Sequence, residues 1–221
     1  MDIERARFNM IEQQIRPWDV LDADVLELLT LVPRERFVPA EHRALAFSDL
    51  EIPLAPDAAD TGRAMLSPKM EARLLQEAMP RRHETVLEIG AGSGYMAALL
   101  GRRAREVISA EIDADMAALA RSNLARAGAG NVRVERANGL ELARGARFDV
   151  IVLSGSVPLL PPELTEALSV GGRLIGVVGE LPIMHARLVT RASDTAFAAR
   201  DLFETVAPPL LGFPQPSRFR F

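Results

Sequence analysis

The stretch Thr85-Val-Leu-Glu-Ile-Gly-Ala-Gly-Ser-Gly-Tyr95 joins a short apolar run to a turn almost without side-chain bulk. Val86, Leu87 and Ile89 suit a strand covered on both faces. Gly90, Gly92 and Gly94 permit backbone conformations, and a close approach to a ligand, that a Cβ would obstruct. From Tyr95 onward Met-Ala-Ala-Leu-Leu is helix-compatible. Strand, glycine turn and helix in that order place a small molecule at the carboxyl end of a parallel sheet.

Working outward, 105–111 reads as a second strand ending in the acid Glu111, and Asp113 caps a helix from 114 to about 127. Further strands are expected at 131–135, 148–153 and 171–178, with Ser154-Gly-Ser156 turning out of the fourth. A helix with prolines in its first turn begins at Pro161. Helical stretches between strands imply parallel pairing with right-handed crossovers. Beyond Gly179, 186–191 and 200–206 are strand-like and suggest an antiparallel pair closing the sheet. The alternating Ser217-Arg-Phe-Arg-Phe221 reads as an edge strand or a partner-binding tail, and Phe213, Phe219 and Phe221 as cover for the sheet edge.

Upstream, Phe8, Ile11 and Ile15 predict one amphipathic helix over 3–15 that ends before Pro17, and 22–32 predicts a second helix stopped by Pro33. The proline-rich 34–39 and 45–54 read as packed irregular chain, 55–62 as a mobile loop, and Trp18 as a core or helix-packing residue rather than a binding platform. Pro68 suits the first turn of a helix through Ala78, with Ser67 at its cap position. The expectation is therefore an α/β, doubly wound, mostly parallel sheet of about seven strands with N-terminal helical decoration. A single domain over 1–221 is expected: helices and a loop in 1–80, a ligand-binding core in 81–180, closing strands in 181–221.

Composition narrows the function. Hydrophobic residues make up 48% and charged residues 25% of the chain, enough for a sizeable core. The formal charge of −4, from 26 basic and 30 acidic residues in no long block, gives nucleic-acid binding no support. Cysteine is absent, which removes disulfides, thiol nucleophiles and thiolate metal sites. His42, His83 and His185 stand apart, so no metal site is expected. No apolar run could span a bilayer, and a cytoplasmic protein, monomeric and without membrane partners, is expected.

The spacing of the glycines selects the ligand. A nicotinamide-binding turn would put its third glycine at Tyr95, where close helix–strand packing needs a small residue. A phosphate loop would need Lys-Ser or Lys-Thr after the glycines. Glu-x-Gly-x-Gly-x-Gly suits a ligand with a cationic sulfonium and a free amino group instead of a pyrophosphate, which describes S-adenosyl-L-methionine, spent as S-adenosyl-L-homocysteine. In that picture Glu88 organises the loop, Gly90, Gly92, Ser93 and Gly94 admit the amino-acid end, and Glu111 accepts from the ribose hydroxyls. Ile112 follows Glu111, and Asn138 with Gly139 meets the adenine edge.

Val32-Pro-Arg-Glu-Arg-Phe-Val-Pro39, Ala46-Phe-Ser-Asp49 with Ile52-Pro53, Val86-Leu-Glu-Ile-Gly-Ala-Gly-Ser-Gly-Tyr95, Phe148-Asp-Val-Ile-Val152 and Gly171-Gly-Arg-Leu174 together resemble the protein-L-isoaspartate O-methyltransferase family. The resemblance runs from near the first helix to the last residues. It implies a Rossmann-like class I methyltransferase fold, with the acceptor-site loop in 1–80 and the cofactor-binding core in 81–180, and, as acceptor, a carboxylate of a damaged aspartyl residue in a protein or peptide. A carboxylate is ionised at neutral pH and needs no strong general base. The family's active-site segment Gly-Gln-Thr-Ile-Ser-x-Pro falls on Gly62-Arg-Ala-Met-Leu-Ser-Pro68, with Ala64 and Leu66 where the hydroxyls are expected. Ser67 then either substitutes as the catalytic hydroxyl after a one-residue shift or serves as a helix cap. Two functions follow: an active carboxylate methyltransferase engaged in protein repair, or a family member with another acceptor or with cofactor binding and no transfer.

Overall fold

Five of the predicted strands form the parallel part of one sheet in the computed structural model, which describes residues 2–215 and, at 59 and 60, the backbone alone. In chain order the strands are β1 (Thr85–Ile89), β2 (Glu106–Glu111), β3 (Val132–Arg136), β4 (Phe148–Val157), β5 (Leu168–Glu180), β6 (Ile183–Arg191) and β7 (Phe197–Thr205). Their spatial order is β3-β2-β1-β4-β5-β6-β7. β1 to β5 run parallel, and β6 and β7 close the sheet antiparallel. The order reverses between β1 and β4, which opens a crevice outside the carboxyl ends of these strands.

The period of two along the strands divides the core into two layers. Val86, Val150, Val152, Ile175 and Val177 face one layer, shared with the helices α1 (Ile3–Met10), α2 (Ala23–Leu31), α3 (Pro68–Ala78), α4 (Tyr95–Gly101) and α5 (Ala114–Ala127). Leu87, Ile89, Ile151, Leu153 and Leu174 face the other, shared with α6 (Gly139–Ala143) and α7 (Pro162–Glu166). Strands buried on both sides explain why their sequences are apolar throughout instead of alternating.

Several expectations are corrected. The N-terminal helical track is three pieces: α1, a π-helical turn Ile11–Ile15, and a 3-10 turn Arg16–Trp18 that takes in Pro17. Ile11 and Ile15 are buried as predicted, but Phe8 is 63% exposed, off the buried stripe. Trp18 is not a core residue either, at 39% exposure. β4 does not turn at Ser154-Gly-Ser156 but continues through it, because the chain at 207–210 comes alongside. Ser156 donates its N–H to the Pro208 carbonyl at 2.8 Å and accepts from the Leu210 N–H at 2.8 Å. Within 34–54 the chain takes 3-10 turns at Arg34–Arg36 and Ala40–Leu45, and Ile52–Pro53 pairs antiparallel with Ala64–Met65. Ala58–Thr61 is a single helical turn. Residues 217–221 lie outside the described residues.

Candidate functional site

The glycine turn is held where adjacent parallel strands end. Gly90 donates its N–H to the Ala110 carbonyl at 2.9 Å, as the register of Ile89 against Ala110 requires. Gly90, Gly92 and Gly94 have φ of 93°, 51° and 82°, in the left-handed region that disfavours a side chain. Gly92 donates its N–H to Glu111 Oε2 at 2.9 Å, and Glu111 Oε1 accepts the Asp113 N–H at 3.0 Å. The carboxylate of Glu111 is thereby fixed at the rim of the crevice.

Of the residues predicted to bind a cofactor, Gly90, Gly92, Glu111, Ile112 and Gly139 line one cleft together. Gly139 has a packing reason as well: a Cβ there would fall 2.6 Å from Ile89. Glu88, Ser93 and Gly94 stand behind the wall. Glu88 is completely buried at the end of β1 and accepts from the hydroxyls of Ser109 at 2.5 Å and Ser154 at 2.9 Å. Burial pushes its carboxyl up to about 8; the two hydroxyls oppose the shift, and the charges of Glu111 and Glu71 add to it. The Ser93 carbonyl accepts from Asn123 at 2.8 Å, and Gly94 packs on α5, where a Cβ would meet the Ala120 carbonyl at 3.2 Å. Asn138 caps α6 through the Leu140 N–H at 2.9 Å, and its amide donates to the Gly212 carbonyl at 3.2 Å.

The opposite wall consists of two straps. The C-terminal strap after β7 is pinned by Ser156, whose hydroxyl donates to the Ala207 carbonyl at 2.8 Å. It lays Leu210 against Gly90, where a Cβ would come within 2.6 Å of Leu210 Cδ2. The second strap is the loop that ends at Gly62. Arg63 clasps it, donating to Asp57 Oδ2 at 2.6 Å, Asp113 Oδ2 at 3.1 Å and Thr61 Oγ1 at 3.2 Å. The straps touch where Gly62 faces Pro209. With both seated, the cleft holds about 70 Å³, less than the roughly 300–1,000 Å³ of small-molecule pockets.

Behind the second strap, Arg34 is almost completely buried. It donates to the carbonyls of Leu66 at 2.7 Å and Ala46 at 3.0 Å and pairs with Glu71. Burial pushes Glu71 up to about 7 in spite of that pair. The Tyr95 ring lies 5.4 Å below the guanidinium, and its buried hydroxyl has no partner among the described residues.

Ser67 is not part of the cleft. It occupies the cap position of α3 without a side-chain cap bond and lines a separate groove. Ala64 lines the cleft, whereas Leu66 is buried in the core. Sequence reasoning missed Arg63 as a clasp, Asp113 as its partner and the strap 207–212. The run Pro208-Pro-Leu-Leu-Gly212, apolar and following the last strand, is the only local sign of the last. Among the described residues no cluster of His, Asp or Glu could hold a metal, and no helix is long and apolar enough to cross a membrane.

The donor set fits S-adenosyl-L-methionine: a floor without Cβ atoms at 90 and 92, an anchored carboxylate at 111, and a wall whose single cation, Arg63, is already paired with two aspartates. Comparison with known proteins agrees. Over residues 5–211 the chain matches the family model described as protein-L-isoaspartate(D-aspartate) O-methyltransferase. It is 37% identical over 211 residues to a protein-L-isoaspartate O-methyltransferase of Koribacter versatilis, covering 95% of this chain and 91% of that one. A protein-L-isoaspartate O-methyltransferase 2 of Marinobacter nauticus is also 37% identical, covering 96% of this chain and 95% of its own. Among solved structures, a Plasmodium falciparum protein assigned to the same activity, in complex with S-adenosyl-L-homocysteine, has a TM-score of 0.76 at 18% identity and covers 95% of this chain and 98% of that one. At that identity the likeness concerns the fold, which is the Rossmann-like fold of class I methyltransferases. The motifs, the cleft and a match spanning nearly the whole chain place it in one family: it belongs to the protein-L-isoaspartate(D-aspartate) O-methyltransferases.

Proposed function

We propose that this chain transfers the methyl group of S-adenosyl-L-methionine to the carboxylate of L-isoaspartyl residues in damaged proteins. The observation that carries the reading is the Glu111 carboxylate, fixed at the carboxyl end of β2 by the Gly92 and Asp113 N–H groups and facing a glycine floor. Such a carboxylate accepts from vicinal hydroxyls, and its charge favours a cationic ligand. The bound cofactor supplies an activated methyl on a sulfonium, and a carboxylate acceptor, ionised at neutral pH, needs no base to receive it. The residues of this chain accordingly align the reactants and exclude water. The Gly90–Gly94 turn shapes the floor, Asn138 orients the mouth and the two straps close it.

In this reading Ser67 serves acceptor binding and not proton transfer, consistent with its place in the neighbouring groove. The N-terminal 1–80 and the strands of 181–221 supply the acceptor side of one domain, 81–180 supplies the donor side, and the protein works as a cytoplasmic monomer. The alternative of cofactor binding without transfer rests on Ala64 and Leu66 alone and is not favoured by the family match over 5–211. Incubation with methyl-labelled S-adenosyl-L-methionine and an isoaspartyl peptide tests the proposal. Base-labile label is expected on the isoaspartyl peptide and none on its aspartyl counterpart; cofactor binding without label on either sinks it.

A further inference from the structure

Beside the cleft, and built from the same two chain segments, lies an open groove of about 490 Å³. Ala64 lines the cleft and Ser67 the groove; Pro209, Leu210 and Leu211 line the cleft, and Glu204, Thr205 and Val206 the groove. The three-residue step from Ala64 to Ser67 spans at most about 10 Å. An extended peptide seated in the groove thus places a residue about three positions away over the cleft mouth.

The groove presents a contiguous apolar surface of a kind that marks protein-binding sites. Trp18, Leu50, Ile183 and Val206 are 39%, 38%, 59% and 52% exposed and come together from separate parts of the chain. The Trp18 ring stands edge-on to Phe203 at 6.4 Å, and the Lys69 ammonium lies 4.1 Å from its centre. Lys69 is itself neutralised by Asp49 at 2.7 Å. Ile52 pairs with Met65, so Glu51 comes level with Leu66, next to Ser67. Glu51 stands at an exposed position, with its carboxyl partly desolvated and so held above the usual carboxylate range, and neither it nor the Ser67 hydroxyl has a partner among the described residues. With Lys69 cancelled by Asp49, the charge left among the described residues that line the groove, on Glu51 and Glu204, is negative.

We propose that this groove docks the acceptor protein as an extended segment, and that Glu51 selects acceptors carrying a lysine or arginine about three residues from the methylated carboxylate. The proposal rests on the isoaspartyl reading above. In it, the apolar rim covers the flanking side chains, Ser67 meets the peptide backbone and Glu51 meets the cation.

Isoaspartyl heptapeptides with Lys, Ala or Glu three residues to either side of the isoaspartate test it. Two readouts are used: KM for methyl transfer, and the emission of Trp18, the single tryptophan of the chain, which follows docking whether or not transfer occurs. For one of the two directions the Lys peptide is expected to have a KM roughly three- to fivefold below its Glu counterpart at low ionic strength. The two should converge near about 1 M salt, and the ratio should fall to about one in Glu51→Gln. Equal KM values in the unmodified protein, or a ratio unchanged in Glu51→Gln, overturn the proposal. Methyl transfer with no Trp18 response sinks the groove and leaves the isoaspartyl reading standing. A charge-dependent, saturable Trp18 response without transfer sinks that reading and leaves the groove.

Discussion

On the strand side of the cleft, Gly90 is positioned by a backbone hydrogen bond between β1 and β2, and Gly92 donates its N–H to the Glu111 carboxylate at the end of the neighbouring strand. On the strap side, 207–210 pairs with β4 through the backbone of Ser156 and Ala64–Met65 with Ile52–Pro53, and side chains add the remaining ties: Arg63 to Asp57 and Asp113, Ser156 to Ala207, Asn138 to Gly212 and Arg34 to Leu66. A backbone ladder persists through most side-chain changes and fails when a Cβ is added where none fits. Side-chain clasps can be loosened one at a time. The donor side therefore tolerates little, and the acceptor side can be adjusted in small steps, which is where this chain departs from the family's hydroxyl-bearing segment.

The largest effect is expected on the donor side. Gly92→Val puts a branched side chain at φ 51°, with its Cβ about 3.3 Å from Leu54. Strain of about 1–3 kcal/mol and an occupied cleft should reduce cofactor affinity at least about a hundredfold; unchanged affinity by calorimetry would remove the proposed floor. Glu88→Gln probes the buried support of the same wall. Because the folded state holds the Glu88 proton up to about pH 8 and the unfolded chain releases it near 4.5, Glu88 makes stability fall as pH rises between those values. The Gln variant should unfold in urea with a flatter pH dependence across that window, and a slope identical to the parent's would contradict the burial of the carboxyl.

On the strap side the changes should be graded. Arg63→Met frees the loop from Asp57 and Asp113 and should speed release of bound S-adenosyl-L-homocysteine roughly three- to tenfold in stopped flow, with little loss of stability. An unaltered release rate would show that this strap does not gate the cleft. The smallest effect is predicted for Ser67→Ala. Its hydroxyl makes no cap bond, so thermal unfolding should change by less than about 0.5 kcal/mol, while KM for isoaspartyl peptides rises. A stability loss near 1 kcal/mol with unchanged KM would return Ser67 to the role of a helix cap.

Much of the donor side is legible locally. Residues 85–95 are contiguous, Glu111 ends the next strand, and Asp113 and Asn138 occupy cap positions whose cap bonds span two or three residues, although their bonds to Arg63 and Gly212 are long-range. The errors lie where neighbours are remote. Ser154-Gly-Ser156 carries turn residues, yet the strand continues because Pro208 and Leu210, some fifty positions onward, pair with Ser156. Gly155 is needed there for contact, since a Cβ would sit 2.8 Å from the Pro208 carbonyl. Trp18, beside Pro17, reads as a core or helix-packing residue, but it packs on Lys69 and Phe203 and stays 39% exposed.

The succession of strands and helices along β1 to β5, the glycine floor and the acid that ends β2 are legible in short stretches of chain, because periodicity, caps and the conformational demands of glycine act over a few residues. Which residues face that floor is settled by the folded arrangement. It brought Arg63 to Asp113, seated Leu210 on Gly90, withdrew Leu66 into the core and moved Ser67 into a neighbouring groove. Those placements depend on contacts between distant segments, whose closure is governed by the packing of the whole chain and leaves no periodic trace in any one stretch of it.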